Sequence, residues 1–411
     1  MRILIATAHR NLVGGVEKYL QGVMPALLDR GHEVGLLYEE TSDVSAERID
    51  PASARIPTWC AAELGTVTLD RVAQWKPEVV YSHGFGAGSS PLEPALVNPY
   101  PTVLYAHNLD ATCATGRKYY AFPKPRCCSR KLGPMCLLLH YPRRCGGLHP
   151  GTMWRRYRHH MKLNSQLARH RAILVASNYM HQEFLRNGVS AQQLHLVPLP
   201  SIDSIPGDTA PVRRAPEGRI LFVGRLTDLK GTDYLIRAIP KAAEKLRRPL
   251  TLTIAGDGPE RPNLERVAGR LGISVEFAGW VHTRQKLDLM RQADLLAVPS
   301  LWPEPFGLVG IEAGSLGVPA VAFAVGGILD WLIPGESGEL ASSDPPTVEG
   351  LAEAMVRSLA DPAHHARLSL GAWKIAKHFS MENHIAQLEP ILSAAVTRAG
   401  SPDRLTLPVL G

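Results

Sequence analysis

The sequence predicts an α/β protein built from two doubly wound, mostly parallel sheets that face one another across a cleft. Short apolar runs alternate with segments of helical periodicity along most of the chain, which is typical of parallel sheets covered by helices. The alternation stops at residues 201–218, which are rich in Pro and polar residues, and then starts again. The length of 411 residues also fits two domains of about 200 residues better than one.

The first predicted domain, residues 1–200, begins with a strand, a helix and a second strand within 38 residues. An apolar run at 2–8 precedes a loop that ends in Gly14-Gly15, and residues 16–31 carry apolar side chains at helical spacing. Residues 32–38 complete a βαβ unit. Further strands are expected at residues 77–83, 102–107, 172–177 and 194–199.

The second predicted domain, residues 219–380, follows the linker at 201–218 and repeats the alternation. Its strands are expected at residues 219–224, 250–256, 275–279, 294–300 and 319–324, with helices at 232–247 and 260–271. From residue 347 onward the sequence is helical in pattern. We expect a C-terminal helix and tail at 381–411, with the last helix packing back on the first domain.

Composition indicates a globular protein that works in water. The chain is 45% hydrophobic and 20% charged, and its longest uncharged run, at 313–329, contains four glycines and a proline. No transmembrane helix is therefore expected. The chain opens directly into a strand-like run without the pattern of a secretory signal, which favours a cytoplasmic location.

Positive charge is concentrated in the first half of the chain. Residues 1–200 contain 23 Lys and Arg against 14 Asp and Glu, and no acidic residue lies between Asp110 and Glu183. Such a cationic block commonly binds lipid headgroups, phosphates or nucleic acid, although a solvated basic surface has the same composition. The block lacks the interleaved aromatic residues of a nucleic-acid stacking surface, so a nucleic-acid partner is not expected.

Two glutamates in residues 299–321 are candidate ligand-binding residues. Glu304 and Glu312 are eight positions apart, and a helix beginning near Gly307 would point its free N–H groups into the cleft, where they suit a phosphate or sugar oxygen. Glu304 could accept hydrogen bonds from sugar hydroxyls, and Glu312 could reach a ribose. The alternative is that Glu304 caps the helix and Glu312 is an ordinary surface charge.

Three further features lie where the same cleft is expected. Arg225 and Lys230 follow the carboxyl end of the strand at 219–224 and are cations suited to a diphosphate. Gly14-Gly15 precedes the first helix and would let a ligand approach the backbone closely. His107 ends a strand of the first domain. Each feature alone has an ordinary structural explanation: a surface charge, a turn or a buried histidine.

Together these residues resemble the retaining, nucleotide-sugar-dependent glycosyltransferases with two Rossmann-like domains, the GT-B fold, and specifically family 4, also called group 1. The resemblance extends from residue 1 to about 392. It is most specific in four stretches, VGRLTDLKG, IAGDGPE, ADLLAVPS and EPFGLVGIE.

The resemblance implies a role for each candidate. Arg225 and Lys230 would bind the diphosphate of a UDP- or GDP-sugar, with Gly15 covering it from the first domain. Glu304 would contact the hydroxyls of the transferred sugar, and Glu312 the ribose. The remaining implied contacts are the amides of Phe306, Gly307 and Leu308 around the sugar and phosphate, and His107 near the anomeric carbon and acceptor.

The reaction implied by the resemblance is transfer of the sugar to a saccharide or lipid-linked acceptor with retention of configuration. No Asp-x-Asp pair occurs in the sequence, which favours metal-independent chemistry. The resemblance implies no required cofactor, only the nucleotide sugar as donor substrate. One departure lies at residues 196–203, where the family usually has an Asn-Gly turn before an acidic position that Asp203 could fill. The sequence leaves open whether Glu304 takes part in the chemistry or only orients the sugar.

Other functions remain compatible with the same residues. A nucleotide-sugar epimerase or a phosphorylase on this fold would use a similar donor site, and a catalytically silent sugar-nucleotide-binding subunit would retain part of it. The cationic block lies in the domain that receives the acceptor in this family. We therefore expect an anionic acceptor or a peripheral contact with anionic lipid at the inner face of the cell membrane. The residues available for it are Arg143, Arg144, Arg155, Arg156 and Arg158.

Five of the six cysteines fall between Cys113 and Cys145, inside an insertion at about 108–150 that interrupts the α/β pattern. Stable disulfides are rare in the cytoplasm, and the spacing does not match a standard zinc ribbon. Three interpretations stay open: free thiols that pack a loop, redox pairing, or a structural metal site. That site would use Cys113, Cys127 or Cys128, Cys136 and Cys145.

Overall fold

A computed structural model describes residues 1–10, 14–40, 56–64, 67–84, 92–203, 209–211 and 214–397. The predicted linker is therefore described only in part, because its residues 204–208 and 212–213 lie outside these ranges, as do residues 398–411 of the predicted tail.

The first domain is organised around a seven-stranded parallel sheet of order β3-β2-β1-β4-β5-β8-β9. Its strands are β1 Arg2–His9, β2 Glu33–Glu40, β3 Thr58–Cys60, β4 Val79–Ser82, β5 Thr102–Ala106, β8 Ala172–Val175 and β9 Leu194–Leu196. All four residues of β4 and of β8 are buried, as expected for parallel strands covered on both faces. The helices are α1 Gly15–Asp29, α2 Ala61–Leu64, α3 Val67–Trp75, α4 Leu92–Val97, α5 Met135–Leu139, α6 Pro150–Gln166 and α7 Asn178–Arg186.

The second domain contains a six-stranded parallel sheet of order β12-β11-β10-β13-β14-β15. Its strands are β10 Arg219–Val223, β11 Thr251–Ala255, β12 Val275–Gly279, β13 Leu295–Val298, β14 Ala320–Phe323 and β15 Gly338–Ala341. Its helices are α8 Thr232–Leu246, α9 Arg261–Leu271, α10 Thr283–Gln292, α11 Leu308–Ser315, α12 Val348–Leu359 and α13 Pro362–His378. The predicted fold class, two α/β domains with doubly wound parallel sheets, is confirmed. The division of the chain at residues 201–218 stays a prediction.

The last helix, α14 Met381–Thr397, leaves the second domain and returns to the first. Its His384 bonds through Nε2 to the Tyr19 hydroxyl of α1 at 2.7 Å and through Nδ1 to the Pro198 carbonyl at 2.8 Å. These contacts agree with the expected return of this helix to the first domain.

The segment between β5 and α6 has little regular structure. It contains α5 and a hairpin of two-residue strands, β6 Tyr119–Tyr120 and β7 Arg126–Cys127. Arg117 and Arg126 of this segment form ion pairs with Asp228 and Asp344 of the second domain, at 3.2 and 2.6 Å. The insertion, which belongs to the first domain, therefore also contacts the second.

Candidate functional site

Glu304 is the centre of a buried polar cluster in the second domain. The residue is 5% exposed and follows β13 in the loop that leads to α11. Three side chains donate to the same carboxylate oxygen, Oε1: Lys230 Nζ at 2.6 Å, Ser300 Oγ at 2.5 Å and Trp302 Nε1 at 3.1 Å. None of these three donates to Oε2, so that oxygen can accept a hydrogen bond from a ligand hydroxyl.

Lys230 and Glu304 come together because of the sheet topology. β10 and β13 are neighbouring parallel strands, so the loops after their carboxyl ends meet at the same edge. Lys230 ends a short 3-10 helix at Asp228–Lys230, directly before Gly231 and α8. The Lys230 side chain keeps 29% of its surface exposed, so its ammonium group can also reach a ligand in the cleft.

The helix α11 begins beside Glu304 with its amino end uncapped. Gly307, at the N-cap, adopts a left-handed conformation with φ of 86° and provides no side-chain cap. The amides of Phe306, Gly307 and Leu308 donate to no other backbone group in the described part of the chain. Uncapped N–H groups at a helix start are a binding position for phosphate or sugar oxygens.

The amino ends of α1 and α11 face each other across the cleft. A Cβ atom placed on Gly15, the first residue of α1, would lie 3.9 Å from Leu308 Cδ1. A larger side chain would therefore occupy space between the domains. A glycine here leaves room for a ligand between the two helix termini.

Glu312 belongs to a second ionic cluster that crosses from one domain to the other. Glu312 Oε2 accepts from Lys286 Nζ of α10 at 2.8 Å, and Lys286 Nζ also donates to Asp203 Oδ2 at 2.6 Å. Asp203 accepts in turn from Lys18 Nζ of α1 at 2.6 Å. The acidic position at Asp203, which the sequence left uncertain, therefore lies in the same ionic cluster as Glu312.

The electrostatics of this cluster favour the charged forms of Lys286 and Asp203, whereas burial raises the pKa of Glu312 above the ordinary glutamate value despite its contact with Lys286. Burial alone would lower the pKa of Lys286, but the carboxylates of Glu312 and Asp203 raise it above the ordinary lysine value. Burial alone would raise the pKa of Asp203, but Lys286 and Lys18 hold it below the ordinary aspartate value. Glu312 is thus held in a fixed position beside a permanent cation.

His107 lies just beyond β5 in the first domain and is paired with a second histidine. Its Nε2 is 2.8 Å from Nδ1 of His83, which follows β4. Both rings line a cavity of about 200 Å³, together with Glu17, Asn108 and Asp110 among others. Burial lowers the pKa of His107 to about 3 and that of His83 well below its ordinary value, so both are neutral at physiological pH.

Arg225 stands apart from these clusters. It is exposed, directly after Gly224 at the end of β10, and its guanidinium forms no ion pair with any carboxylate in the described ranges. An unpaired guanidinium at the carboxyl end of a parallel strand can bind phosphate oxygens.

Sequence reasoning missed Lys286, Lys18 and His83. A signal for Lys286 exists, because it lies four residues before Met290 on the buried face of α10, where a lysine is unusual. For His83 the signal is that two neighbouring parallel strands each end next to a histidine. Lys18 has no such signal, since its partner Asp203 is 185 residues away.

The arrangement combines groups suited to an anionic, hydroxyl-bearing ligand. Cations and uncapped helix termini can hold a phosphate, and the fixed Glu304 carboxylate can accept from hydroxyl groups. Cations near a departing phosphate also stabilise the negative charge that develops on it.

Two family models match the chain over consecutive regions. The model described as glycosyltransferase family 4 matches residues 13–200, and the model described as glycosyl transferases group 1 matches residues 210–374.

Curated relatives match over shorter stretches. An uncharacterized glycosyltransferase of Methanocaldococcus jannaschii is 45% identical over 116 residues, which cover 28% of this chain and 29% of the relative. A D-inositol 3-phosphate glycosyltransferase of Xylanimonas cellulosilytica is 33% identical over 248 residues, which cover 55% of this chain and 57% of the relative. The chain thus spans less than two thirds of the length of these relatives.

Solved structures match over nearly the whole chain. Anabaena HepE, solved in complex with UDP and glucose, superposes with a TM-score of 0.66 at 19% identity over 96% of this chain and 100% of that one. Sucrose-phosphate synthase from Thermosynechococcus elongatus superposes with a TM-score of 0.68 at 21% identity over 98% and 100%. At these identities the likeness establishes the GT-B fold.

Proposed function

The chain belongs to the glycosyltransferases of family 4, or group 1, and from this premise we propose that it transfers a sugar from a nucleotide-diphosphate donor to a saccharide or lipid-linked acceptor with retention of configuration. The observation that carries the proposal is the Glu304 carboxylate. Its Oε1 is held by Lys230, Ser300 and Trp302, and its Oε2 accepts from none of them. The carboxylate is therefore oriented to accept from sugar hydroxyls beside a cation and a helix terminus.

In this proposal the donor lies between the amino ends of α1 and α11. Lys230 and Arg225 bind the diphosphate, and the amides of Phe306, Gly307 and Leu308 contact the sugar and phosphate. Gly15 leaves space for the donor on the opposite side, where a side chain would approach Leu308. Glu312, held by Lys286, contacts the ribose. A uridine or guanosine diphosphate sugar is the proposed donor, and the UDP bound in the HepE structure supports the former.

To catalyse this transfer, the site must stabilise the charges that develop in the transition state. As the bond from the anomeric carbon to the diphosphate breaks, positive charge develops on the sugar ring and negative charge on the leaving group. Lys230, Arg225 and the start of α11 stabilise the leaving group. His107, neutral at physiological pH because of its burial, adds no positive charge near the sugar and positions the acceptor.

The donor assignment predicts a thermal shift. We expect one of the three classes, UDP-, GDP- or ADP-sugars, to stabilise the protein against unfolding. At a concentration of about 100 times its dissociation constant, that donor should add about 2.7 kcal/mol to the free energy of unfolding and raise the unfolding temperature by a few degrees. Arg225→Ala should need more donor for the same shift, whereas Arg237→Ala, an exposed arginine paired with Asp233 on α8, should behave like the unchanged protein. Equal shifts in both variants would remove Arg225 from the donor site.

The acceptor side has a surface suited to an anionic bilayer. Six of the twelve large apolar side chains that are exposed among the described residues lie between positions 122 and 154: Phe122, Met135, Leu138, Tyr141, Leu148 and Trp154. Arg144, Arg155, Arg156 and Arg158 are exposed in the same region. Apolar side chains next to basic ones bind membrane interfaces by burial and by attraction to anionic headgroups. Among the described residues, none of the helices combines the length and the hydropathy that a membrane span requires.

Liposome co-sedimentation tests this surface. Binding should require anionic lipid, weaken with salt, and fall several-fold in Trp154→Ser. Trp280→Ser is the matched control, because Trp280 is 65% exposed on the second domain. Binding that ignores both lipid charge and Trp154 would contradict the membrane contact.

A further inference from the structure

The insertion at residues 108–150 has an unusually small core of its own. Its helix α5 has five residues and its two strands have two residues each. Apart from Leu109, Ala111 and Tyr119, which join the main core, its buried apolar cluster consists of Ala114, Leu132 and Tyr157 of α6. Small proteins with so few buried apolar residues usually need a covalent or metal cross-link to hold one conformation, and the same shortage of core applies to this insertion.

Four of the cysteines line a single cavity in this insertion. The cavity, of about 170 Å³, is bordered by Cys113, Cys128, Cys136 and Cys145. All the cysteines are free thiols. Four thiols around one space match the ligand number of a structural zinc site.

The two remaining cysteines lie elsewhere. Cys60 is buried at the end of β3, where its Sγ donates to the Glu39 carbonyl at 3.8 Å. Cys127 Sγ donates to the Leu301 carbonyl of the second domain at 4.0 Å. Successive side chains at a strand point to opposite faces, so Cys128 faces the cavity while its neighbour Cys127 faces away. The structure therefore identifies Cys128, and not Cys127, as the cysteine that faces the cavity, a choice that the sequence left open.

Backbone groups hydrogen-bond to two of the cavity sulfurs as donors. The backbone N–H of Lys118 donates to Cys113 Sγ at 3.4 Å, and the backbone of Arg130 hydrogen-bonds to the Cys128 thiol. Arg130 and Arg143 are also among the residues that line the cavity. Hydrogen bonds and cations of this kind stabilise thiolates around a metal ion.

A divalent ion bound in this cavity would displace the thiol protons, because coordinating thiols are deprotonated.

We propose that Cys113, Cys128, Cys136 and Cys145 bind one Zn²⁺ ion that holds the insertion together. Zn–S bonds of about 2.3 Å in a tetrahedron place the sulfurs about 3.8 Å apart. In the described part of the chain no three His, Cys, Asp or Glu side chains stand close enough to hold an ion, so binding draws the four sulfurs inward. His140 lines the same cavity, but its Nε2 bonds to the Gly147 carbonyl at 2.8 Å and it stays outside the ligand set.

Elemental analysis of the full chain, purified without a histidine tag, tests the site. The expected content is about one zinc per chain, falling to near zero in Cys113→Ser, Cys128→Ser, Cys136→Ser and Cys145→Ser. Cys127→Ser is the matched control and should keep its zinc, as should His140→Ala. Iron in place of zinc, a disulfide between any two of the four, or loss of zinc in Cys127→Ser but not in Cys128→Ser would overturn the proposal.

Thiol alkylation of the unchanged protein tests the same site if the serine variants fail to fold. The four cavity thiols should react with iodoacetamide at least about tenfold more slowly in the zinc-bound protein than after chelation, because a metal-bound thiolate is a poor nucleophile. Mass spectrometry of the peptides identifies each modified cysteine. Equal rates with and without chelator, in protein that has been supplied with zinc, would contradict the site. Neither measurement depends on sugar transfer.

Discussion

Replacing Lys230 with Ala or Glu304 with Gln is expected to lower the rate of sugar transfer by about 100- to 1,000-fold, the range measured when one oriented transition-state contact is removed. Lys230→Ala removes a cation from the diphosphate and leaves Glu304 without its 2.6 Å ion-pair partner. Glu304→Gln keeps the shape but loses the carboxylate. Initial rates with saturating donor measure both effects.

The chain offers a matched control for this pair. Lys245 and Glu353 form an ion pair at 3.1 Å on the surface of the second domain, where both side chains are about half exposed. Lys245→Ala should leave transfer unchanged, since exposed ion pairs contribute little. In the double variant of Lys230 and Glu304 the two losses should not add, because the side chains act as a unit. Full activity in either folded single variant would remove that residue from the site.

Replacing Gly231 with Ala is expected to destabilise the second domain strongly. Gly231 connects Lys230 to α8 with φ of 63°, and a Cβ atom there would lie 1.9 Å from the Pro299 carbonyl oxygen. The left-handed conformation alone costs a non-glycine residue about 1–2 kcal/mol. The clash with backbone adds about 2–4 kcal/mol more, because the loops carrying Lys230 and Ser300 must separate.

Gly272→Ala measures the cost of the left-handed conformation without the clash, so the difference between the two variants gives the cost of the clash at residue 231. Gly272 ends α9 with φ of 62°, nearly the value at Gly231, but a Cβ atom there would meet nothing within 4 Å. Thermal unfolding of both variants should therefore show the larger decrease for Gly231→Ala, and only that variant should also lose transfer at temperatures where it is folded. Equal decreases would mean that the loop beside Lys230 relaxes without cost.

The strands of both sheets could be predicted from the sequence because buried parallel strands consist of short runs of apolar residues. Strands β4, β8, β13 and β14 are buried along their full length, and each lies within its predicted run. The strands that prediction missed are short or polar. β3 has three residues, and β15 contains a glycine and a glutamate.

The site was predictable where topology alone brings residues together. Lys230 and Glu304 follow neighbouring parallel strands, so a reading of the strand order suffices to place both at one edge of the sheet. The cluster of Lys18, Asp203 and Lys286 forms only because the two domains lie next to each other in one particular arrangement. No local sequence pattern predicts that arrangement. The orientation of Cys127 and Cys128 likewise required the pairing of β6 with β7.

The most direct test of the proposed function is product analysis after incubation with a donor labelled in its sugar. The purified chain is supplied with the nucleotide sugar that stabilises it and with polyprenyl phosphate, oligosaccharide or inositol phosphate acceptors. The proposal predicts labelled sugar joined to an acceptor, with the anomeric configuration of the donor retained by nuclear magnetic resonance, and its loss in Lys230→Ala. Conversion of the donor to an isomer without any acceptor-linked product, or a product of inverted configuration, would contradict it.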